Sequence, residues 1–445
     1  MRFSGQKSQT FSITQFKIVL LYNMKVDKMN DTIGIFSFFA GAGFLDLGFE
    51  KTGFFETLFT NEYHQPFMDI YKGARENIGI KPPQFGHHVN DINDFLIEKN
   101  LKELKTNLDK SKKVYRAVGF IGGPPCPDFS VGGKNRGKEG ENGRLSGTYT
   151  DLICKTKPDF FLFENVKGLW RTKKHREFYE TLKEKFISNG YLLTERLINS
   201  IEYGVPQDRD RIILIGFRKD YLTTNTYKVN GTPFLWDFDW DFGIRYDKKI
   251  VFNLPWQKTD KFIEDSHRIK PNVIPEELTV QYWFNKNDVV NHKNQSKHFT
   301  PKAGLVKFQS VEEGDDSKKS YKRLHRWRYS PTAAYGNNEV HLHPFKARRI
   351  SVAEALAIQS LPKDFIIPDE ITLTNSFKAI GNGVPFLAAK GLAITILNFF
   401  NGFVDKKYKL NGETNSAKHS LVYKSTPEAK QLSVLEPEEQ RAYSN

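Results

Sequence analysis

The chain has 445 residues, with 66 Lys+Arg against 52 Asp+Glu and a formal charge of +14. That length can bury a large core in two or three domains, and the basic surplus favours polyanionic partners, nucleic acid first. Two cysteines, Cys126 and Cys154, exclude a disulfide scaffold and any multi-cysteine zinc or iron–sulfur site, so no metal is expected and a reducing, cytoplasmic compartment is the simplest setting.

Residues 1–30 read as an N-terminal extension, since Met24 and Met29 lie just before the first clear strand. The apolar run from Phe16 to Tyr22 is short, carries Lys17 and lacks a small-residue cleavage site, so it is not read as a signal peptide. No stretch approaches the roughly 18 apolar residues of a membrane helix, and no membrane partner is expected. Residues 33–39 predict a buried strand running into Ala40-Gly41-Ala42-Gly43, and residues 44–53 a short helix. Further strands are predicted at 55–60, at 118–121 ending in Gly122-Gly123-Pro124-Pro125-Cys126, at 160–163 ending in Glu164-Asn165, and at 211–217. Apolar strands alternating with helical stretches imply an α/β fold with a mostly parallel sheet covered on both faces. Chemistry in such sheets gathers at the carboxyl ends of strands, where every conspicuous motif is expected to sit.

The expected catalytic and cofactor-binding domain spans 31–218. Residues 219–347, rich in Asn, Lys, Trp and Tyr, predict a smaller irregular or β-containing domain. Residues 348–403 return to helix: 350–361 with Ser351 capping ahead of Glu354, then 379–400 as a turn followed by an apolar helix. Residues 404–445 are a polar, Lys/Glu-rich tail.

Cys126 stands in a loop stiffened by prolines and opened by glycines, which suits an attacking thiol held for a close-approaching substrate. A buried structural cysteine is the bland alternative. Glu164 follows a strand of apolar residues, against the bland reading of a surface glutamate. Gln207-Asp208-Arg209-Asp210-Arg211, taken alone, reads as a solvated cluster of paired charges. The Gly41-Ala42-Gly43 loop lets a nucleoside or amino-acid group lie against the backbone, but many glycine loops bind nothing.

In order along roughly residues 33–400, these segments resemble the motifs of the DNA cytosine-5 methyltransferases of bacterial restriction–modification systems. The resemblance implies a Rossmann-like fold that takes S-adenosylmethionine as donor. It makes Cys126, in Pro-Pro-Cys, the nucleophile that adds to carbon 6 of cytosine. Glu164, in Glu-Asn-Val, would be the acid that protonates ring nitrogen 3. Arg211, supported by Arg209 in Gln-x-Arg-x-Arg, would hold the base carbonyl. For the cofactor it implies Phe39, Gly41 and Gly43, with Glu62 on the ribose hydroxyls and Tyr63 on the adenine. Asp91 with Ile92 would face the adenine amino group, Pro125 and Leu145 would line the pocket, and Asn382 would face the methionine end. Two departures are Pro127, where the family usually has Gln, and Gly383, where it often has Ala or Ser.

Residues 219–347 occupy the family's target-recognition region. Double-stranded DNA is the implied substrate, its target cytosine flipped out of the stack. The stretch Lys318-Lys319, Lys322-Arg323 and His325-Arg326-Trp327-Arg328 predicts phosphate contacts, against a solvated-loop alternative. Thr332 to Asn337 and His341-Leu342-His343-Pro344 resemble the end of that region in bacterial members, and the helix from Glu354 to Leu361 the motif that orients it. A partner endonuclease and a monomeric state are further expectations. An RNA cytosine-5 methyltransferase of the same fold and a catalytically silent nucleic-acid-binding relative remain alternatives. A nucleotide-dependent oxidoreductase is disfavoured by the missing Gly-x-Gly-x-x-Gly.

Overall fold

The computed structural model describes residues 31–125, 141–225, 227–301, 304–318, 320–333, 335 and 339–409. Cys126, Pro127, the extension over 1–30, Ala334 to Asn337 apart from Tyr335, and nearly all of the tail therefore lie outside the described residues. Contacts divide the chain into Met1–Phe403 and Val404–Asn445. The sheet and the layers on it belong to the first.

Among the described residues, seven strands form one sheet in the order β3-β2-β1-β4-β5-β7-β6. They are β1 (Ile33–Phe38), β2 (Phe55–Asn61), β3 (His87–His88), β4 (Ala117–Gly122), β5 (Phe160–Val166), β6 (Tyr191–Asn199) and β7 (Asp210–Arg218). The helices, in chain order, are α1 (Phe44–Glu50), α2 (Gln65–Ile78), α3 (Glu98–Lys112), α4 (Glu141–Thr156), α5 (Lys167–Arg171) and α6 (Lys173–Ser188). They continue with α7 (Lys219–Thr224), α8 (Lys248–Phe252), α9 (Val280–Lys286), α10 (Leu305–Ser310), α11 (Val352–Ile358), α12 (Leu373–Asn382) and α13 (Phe386–Lys409). Strands β1 to β5 pair in parallel, as their continuous apolar runs predict, whereas β7 runs antiparallel to both β5 and β6.

Strand alternation sorts the core. Ile33 and Ile35 of β1 enter a cluster with Leu45 and Phe49 of α1 and Ala388 to Phe400 of α13. Phe36 and Phe38 enter the opposite cluster, with Leu104 and Leu108 of α3, Tyr149 and Leu152 of α4, and Tyr179 and Phe186 of α6. The phenylalanines pack ring on ring across this face: Phe36 lies 5.5 Å from Phe59 and 5.6 Å from Phe120, at the separations aromatic pairs favour. A third cluster joins Phe44 of α1 and Ile70 of α2 to Trp283 of α9, Ile358 of α11 and Phe377 of α12.

The sequence reading missed β6 and β3. It also read 379–400 as a turn followed by a helix, whereas residues 379–382 end α12 and the break falls at Gly383–Pro385 before α13. Among the described residues, the run Leu373–Gly402 is long and apolar enough by length and composition to cross a membrane. Its apolar window is 67% buried inside the protein, so those side chains are occupied by the core.

Helix α11 starts as the sequence predicts. Ser351 Oγ accepts from the Glu354 amide, and Glu354 Oε2 accepts from the Ser351 amide at 2.7 Å. Replacing Ser351 with Ala frees one helix-start donor in a buried setting, at a cost of about 1 kcal/mol. The expected outcome in differential scanning fluorimetry is a small fall in melting temperature, and an unchanged value would show the cap to be dispensable.

Candidate active site

Strands β1 and β4 are neighbours, with Phe38 opposite Gly122. The chain leaves β1 towards β2 on one side and returns to β4 on the other, which opens a crevice at their carboxyl ends. The loop after β1 winds tightly through it. Phe39, Gly41 and Gly43 all have left-handed φ, at 53°, 57° and 79°. For Phe39 this is a strained conformation. A Cβ on Gly41 would meet nothing within 4 Å, so the backbone there is open to a ligand.

Glu62, just beyond β2, clasps this loop. Its Oε2 accepts from the Gly41 amide at 2.9 Å and its Oε1 from the His64 amide at 2.8 Å. Burial raises its pKa, opposed by those two donors. Each oxygen keeps a second lone pair, so the carboxylate has room for two further donors such as a pair of ribose hydroxyls. Tyr63 beside it is 71% exposed. Asn61 and Asn90 exchange two hydrogen bonds, at 3.1 and 3.2 Å, and thereby fix the segment that carries Asp91. Asp91 Oδ1 accepts from Asn93 and caps the 3-10 turn Ile92–Leu96, while Ile92 is buried. Leu145 is half-buried against the aromatic cluster of Phe39 and Tyr149.

Asn382, exposed at the end of α12, arrives from far along the chain. Gly383 lies so close to Phe44 that a Cβ would come within 2.2 Å of its ring. The glycine loop and Glu62 are therefore joined, and Gly383, next to Asn382, packs on Phe44 where that loop ends, which puts an open backbone, a half-used carboxylate and small residues near one another. That donor set fits a nucleoside carrying an amino-acid tail.

Beneath the loop lies a polar network that sequence reasoning missed. Asp46 is fully buried and accepts from Ser37 Oγ at 2.8 Å and Tyr71 Oη at 2.9 Å. Burial pushes its pKa up to about 6. Arg75 stacks on Tyr71, pairs with Glu50 and donates to the Gly43 carbonyl at 3.3 Å. No local spacing in the sequence announces these pairings.

At the end of β4, Pro125 is exposed and leads into Cys126. Glu164 faces this loop from β5, since a Cβ on Gly123 would fall 2.5 Å from its Oε2. Asn165 Nδ2 donates to the Pro124 carbonyl at 3.4 Å. Arg211 Nε forms an ion pair with Glu164 Oε1 at 2.8 Å, with both side chains largely buried. An acid and a guanidinium thus stand side by side next to the loop of the thiol, an arrangement that can protonate and polarise a ring held there.

Two expectations are corrected. Glu164 and Asn165 lie inside β5 and not beyond it. Arg211 sits at the amino end of β7, and not at a carboxyl end. The reversed direction of β7, with Val166 opposite Arg211, brings it to the same rim of the sheet.

Arg209 is 1% exposed. Its guanidinium donates to the Ala333 carbonyl at 3.0 Å and the Gly381 carbonyl at 2.8 Å, while its Nε has no hydrogen-bond partner among the described residues. Burial, with Arg211 nearby, drives its pKa well below the usual value. Gln207 accepts from the Ala333 amide at 3.1 Å and donates to Gln359, which donates in turn to the Ile380 carbonyl. Cys154 is a buried free thiol whose pKa burial pushes up to about 11, which makes it inert.

Part of the basic stretch predicted to meet phosphates is internal, whereas Lys318 is exposed and Lys319 lies outside the described residues. Arg323 is fully buried and donates to the carbonyls of Val311, His343, Lys346 and Phe308. Arg326 makes a bidentate pair with buried Glu313, His325 pairs with Asp260, and Arg328 donates to Gly314 and Asp316. Cation count along a sequence does not reveal whether a guanidinium is solvated or already bonded inside.

A family model described as C-5 cytosine-specific DNA methylase matches residues 33–398. Type II methyltransferase M.NmeDI of Neisseria meningitidis serogroup C is 56% identical over 373 residues, covering 84% of this chain and 85% of its own. Type II methyltransferase M.FnuDI of Fusobacterium nucleatum is 28% identical over 376 residues, covering 81% of this chain and 94% of its own. Among solved structures, one described as a prophage-encoded DNA modification methyltransferase of E. coli superposes with a TM-score of 0.56 at 21% identity. It covers 83% of this chain and 100% of its own.

If Arg323 and Arg326 are internal struts, replacing either with Met lowers the melting temperature and leaves the salt dependence of DNA binding unchanged. Fluorescence anisotropy over a salt series checks this. A log–log slope shallower by about one per substitution would assign the residue to a phosphate instead.

Proposed function

Because this chain belongs to the C-5 cytosine-specific DNA methylase family, we propose that Cys126, Glu164 and Arg211 carry the reaction within a sequence-specific modification enzyme. The enzyme transfers a methyl group from S-adenosylmethionine to carbon 5 of cytosine in DNA. One observation carries the assignment: Arg211 and Glu164 are joined at 2.8 Å directly against the loop that leads into Cys126.

Carbon 5 of cytosine is too poor a nucleophile to take a methyl group unaided. The Cys126 thiolate adds to carbon 6, and the displaced ring electrons are drawn to carbon 5 as Glu164 delivers a proton to nitrogen 3. Arg211 holds Glu164 and the ring carbonyl oxygen, where negative charge gathers. Carbon 5 then takes the methyl group that the donor supplies. Loss of the carbon 5 proton to solvent water restores the 5,6 double bond and expels Cys126 as thiolate, while nitrogen 3 returns its proton to Glu164, so the enzyme is regenerated. Arg209 is assigned a supporting part, tying the end of the recognition region to the turn before Asn382.

Glu62 would hold the donor's ribose, Phe39, Gly41 and Gly43 its nucleoside, and Asn382 its amino-acid end. Tyr63, Asp91, Ile92 and Pro125 would complete the pocket. Residues 31–218 with 348–403 would form the catalytic body and 219–347 the part that reads DNA. The kinship with type II methyltransferases supports an enzyme that protects sites cut by a companion endonuclease, and the same reading makes it a cytoplasmic monomer.

Transfer of tritiated methyl from the donor to DNA is the expected activity. Cys126→Ser should abolish it, Glu164→Gln should lower kcat by about 10²–10⁴, and Cys154→Ala should leave the rate unchanged. A duplex carrying 5-fluorocytosine should become covalently joined to the native protein through Cys126. Transfer that survives intact in Cys126→Ser would falsify the covalent route.

A further inference from the structure

A guanidinium that must meet one oxygen of a flipped base needs a fixed origin. Arg211 is the second residue of β7, and strand starts fray unless something grips them. The grip comes from the opposite side of the strand. Asp210 and Asp208 alternate with Arg211 and Arg209. Lys167, three residues beyond Glu164, pairs with Asp210 Oδ2 at 2.5 Å. Asn199, at the end of β6, donates its amide group to Asp210 Oδ1 at 2.9 Å and to Asp208 Oδ1 at 2.7 Å.

The Asn199 side chain has no spare capacity. Its carbonyl oxygen accepts from the Ile201 amide at 3.0 Å and the Arg209 amide at 3.4 Å, and the residue is 1% exposed. Its backbone N–H donates to Glu202 Oε2 at 2.6 Å. Asn199 also sits directly across the ladder from Asp210. Arg211 in turn donates to the carbonyl of Asp210 at 2.8 Å. The carboxylate of Asp210 is thus held from β6 on one side and from the end of β5 on the other.

We propose that Asp210, clamped between Lys167 and Asn199, is a positioning residue that fixes Arg211 relative to Glu164 for methyl transfer. Lys167 opens α5 directly after β5, the strand that carries Glu164, so one ion pair ties the exit of the acid's strand to the start of the arginine's strand. Asn199 separates two like charges, Asp208 and Asp210, that would otherwise repel along one face. None of the three side chains needs to touch the base. The inference rests on the roles proposed for Glu164 and Arg211.

The test uses the full chain, a duplex containing its methylated site and steady-state kinetics, with melting temperatures recorded for each variant. Lys167→Met and Asp210→Asn are each expected to lower kcat by about 30-fold, in line with the cost of a small misplacement of a reacting group. KM for DNA and for the donor should stay at the native values. Lys167→Arg restores the cation and should keep most of the native rate. Lys167 is 39% exposed, so its neutral variant tests the clamp even if Asp210→Asn does not fold. Native kcat in both neutral variants overturns the proposal. So does a Lys167→Met enzyme whose KM for DNA rises while kcat holds, which would make Lys167 a phosphate contact. Native activity measured in parallel reports on the assigned reaction, and the ratio of variant to native reports on the clamp.

Discussion

The pairing of Glu164 with Arg211 exists because one strand runs backwards. β7 lies antiparallel between β5 and β6, and this turns its first residues to the rim where β1, β4 and β5 end. Were β7 parallel, Arg211 would start at the far edge of the sheet, about 20 Å away at the usual rise per residue. The proposed chemistry needs an acid and a guanidinium on one ring, and a purely parallel sheet would part them. What surrounds the pair follows from that reversal: the capped turn after β6, the aspartates beside the arginines, and the return of the chain towards Ser330.

The region after β7 solves a different problem. It has little regular pairing, yet its backbone carbonyls are buried and each needs a donor. Arginine side chains supply them. One guanidinium, that of Arg323, serves four carbonyls, and Arg326 with Arg268 neutralises Glu313 in the interior. A buried cation is costly unless fully bonded, so these groups hold the loops in one arrangement. The guanidinium groups of Arg323 and Arg326 work here as internal scaffolding.

Most of the sheet was legible in the sequence because β1, β4 and β5 are short apolar runs bounded by glycine or polar residues. β6 was not, since Thr194, Glu195 and Arg196 interrupt its pattern. It is an edge strand, and Glu195 and Arg196 are spent on Lys183 and Glu202. Two local features of the crevice follow from its sequence, since Glu62 bonds the Gly41 amide and Gly383 packs on Phe44. The direction of β7 was not, because antiparallel and parallel strands with buried faces read alike. Nor was the burial of Arg323 and Arg326, which depends on partners such as Phe308 and Glu313 whose nearness no local spacing encodes.

The attachment at Ala333 has a consequence of another kind. Gln207 and Arg209 grip this residue through its amide and its carbonyl, groups that every residue except proline possesses. The catalytic body therefore reads backbone position at this junction and is indifferent to side-chain identity. A foreign reading segment spliced in ahead of it would dock the same way if it delivered one peptide unit to the same place. If residues 219–347 are the part that reads DNA, such a junction would let one reading segment replace another with no change to Gln207 or Arg209.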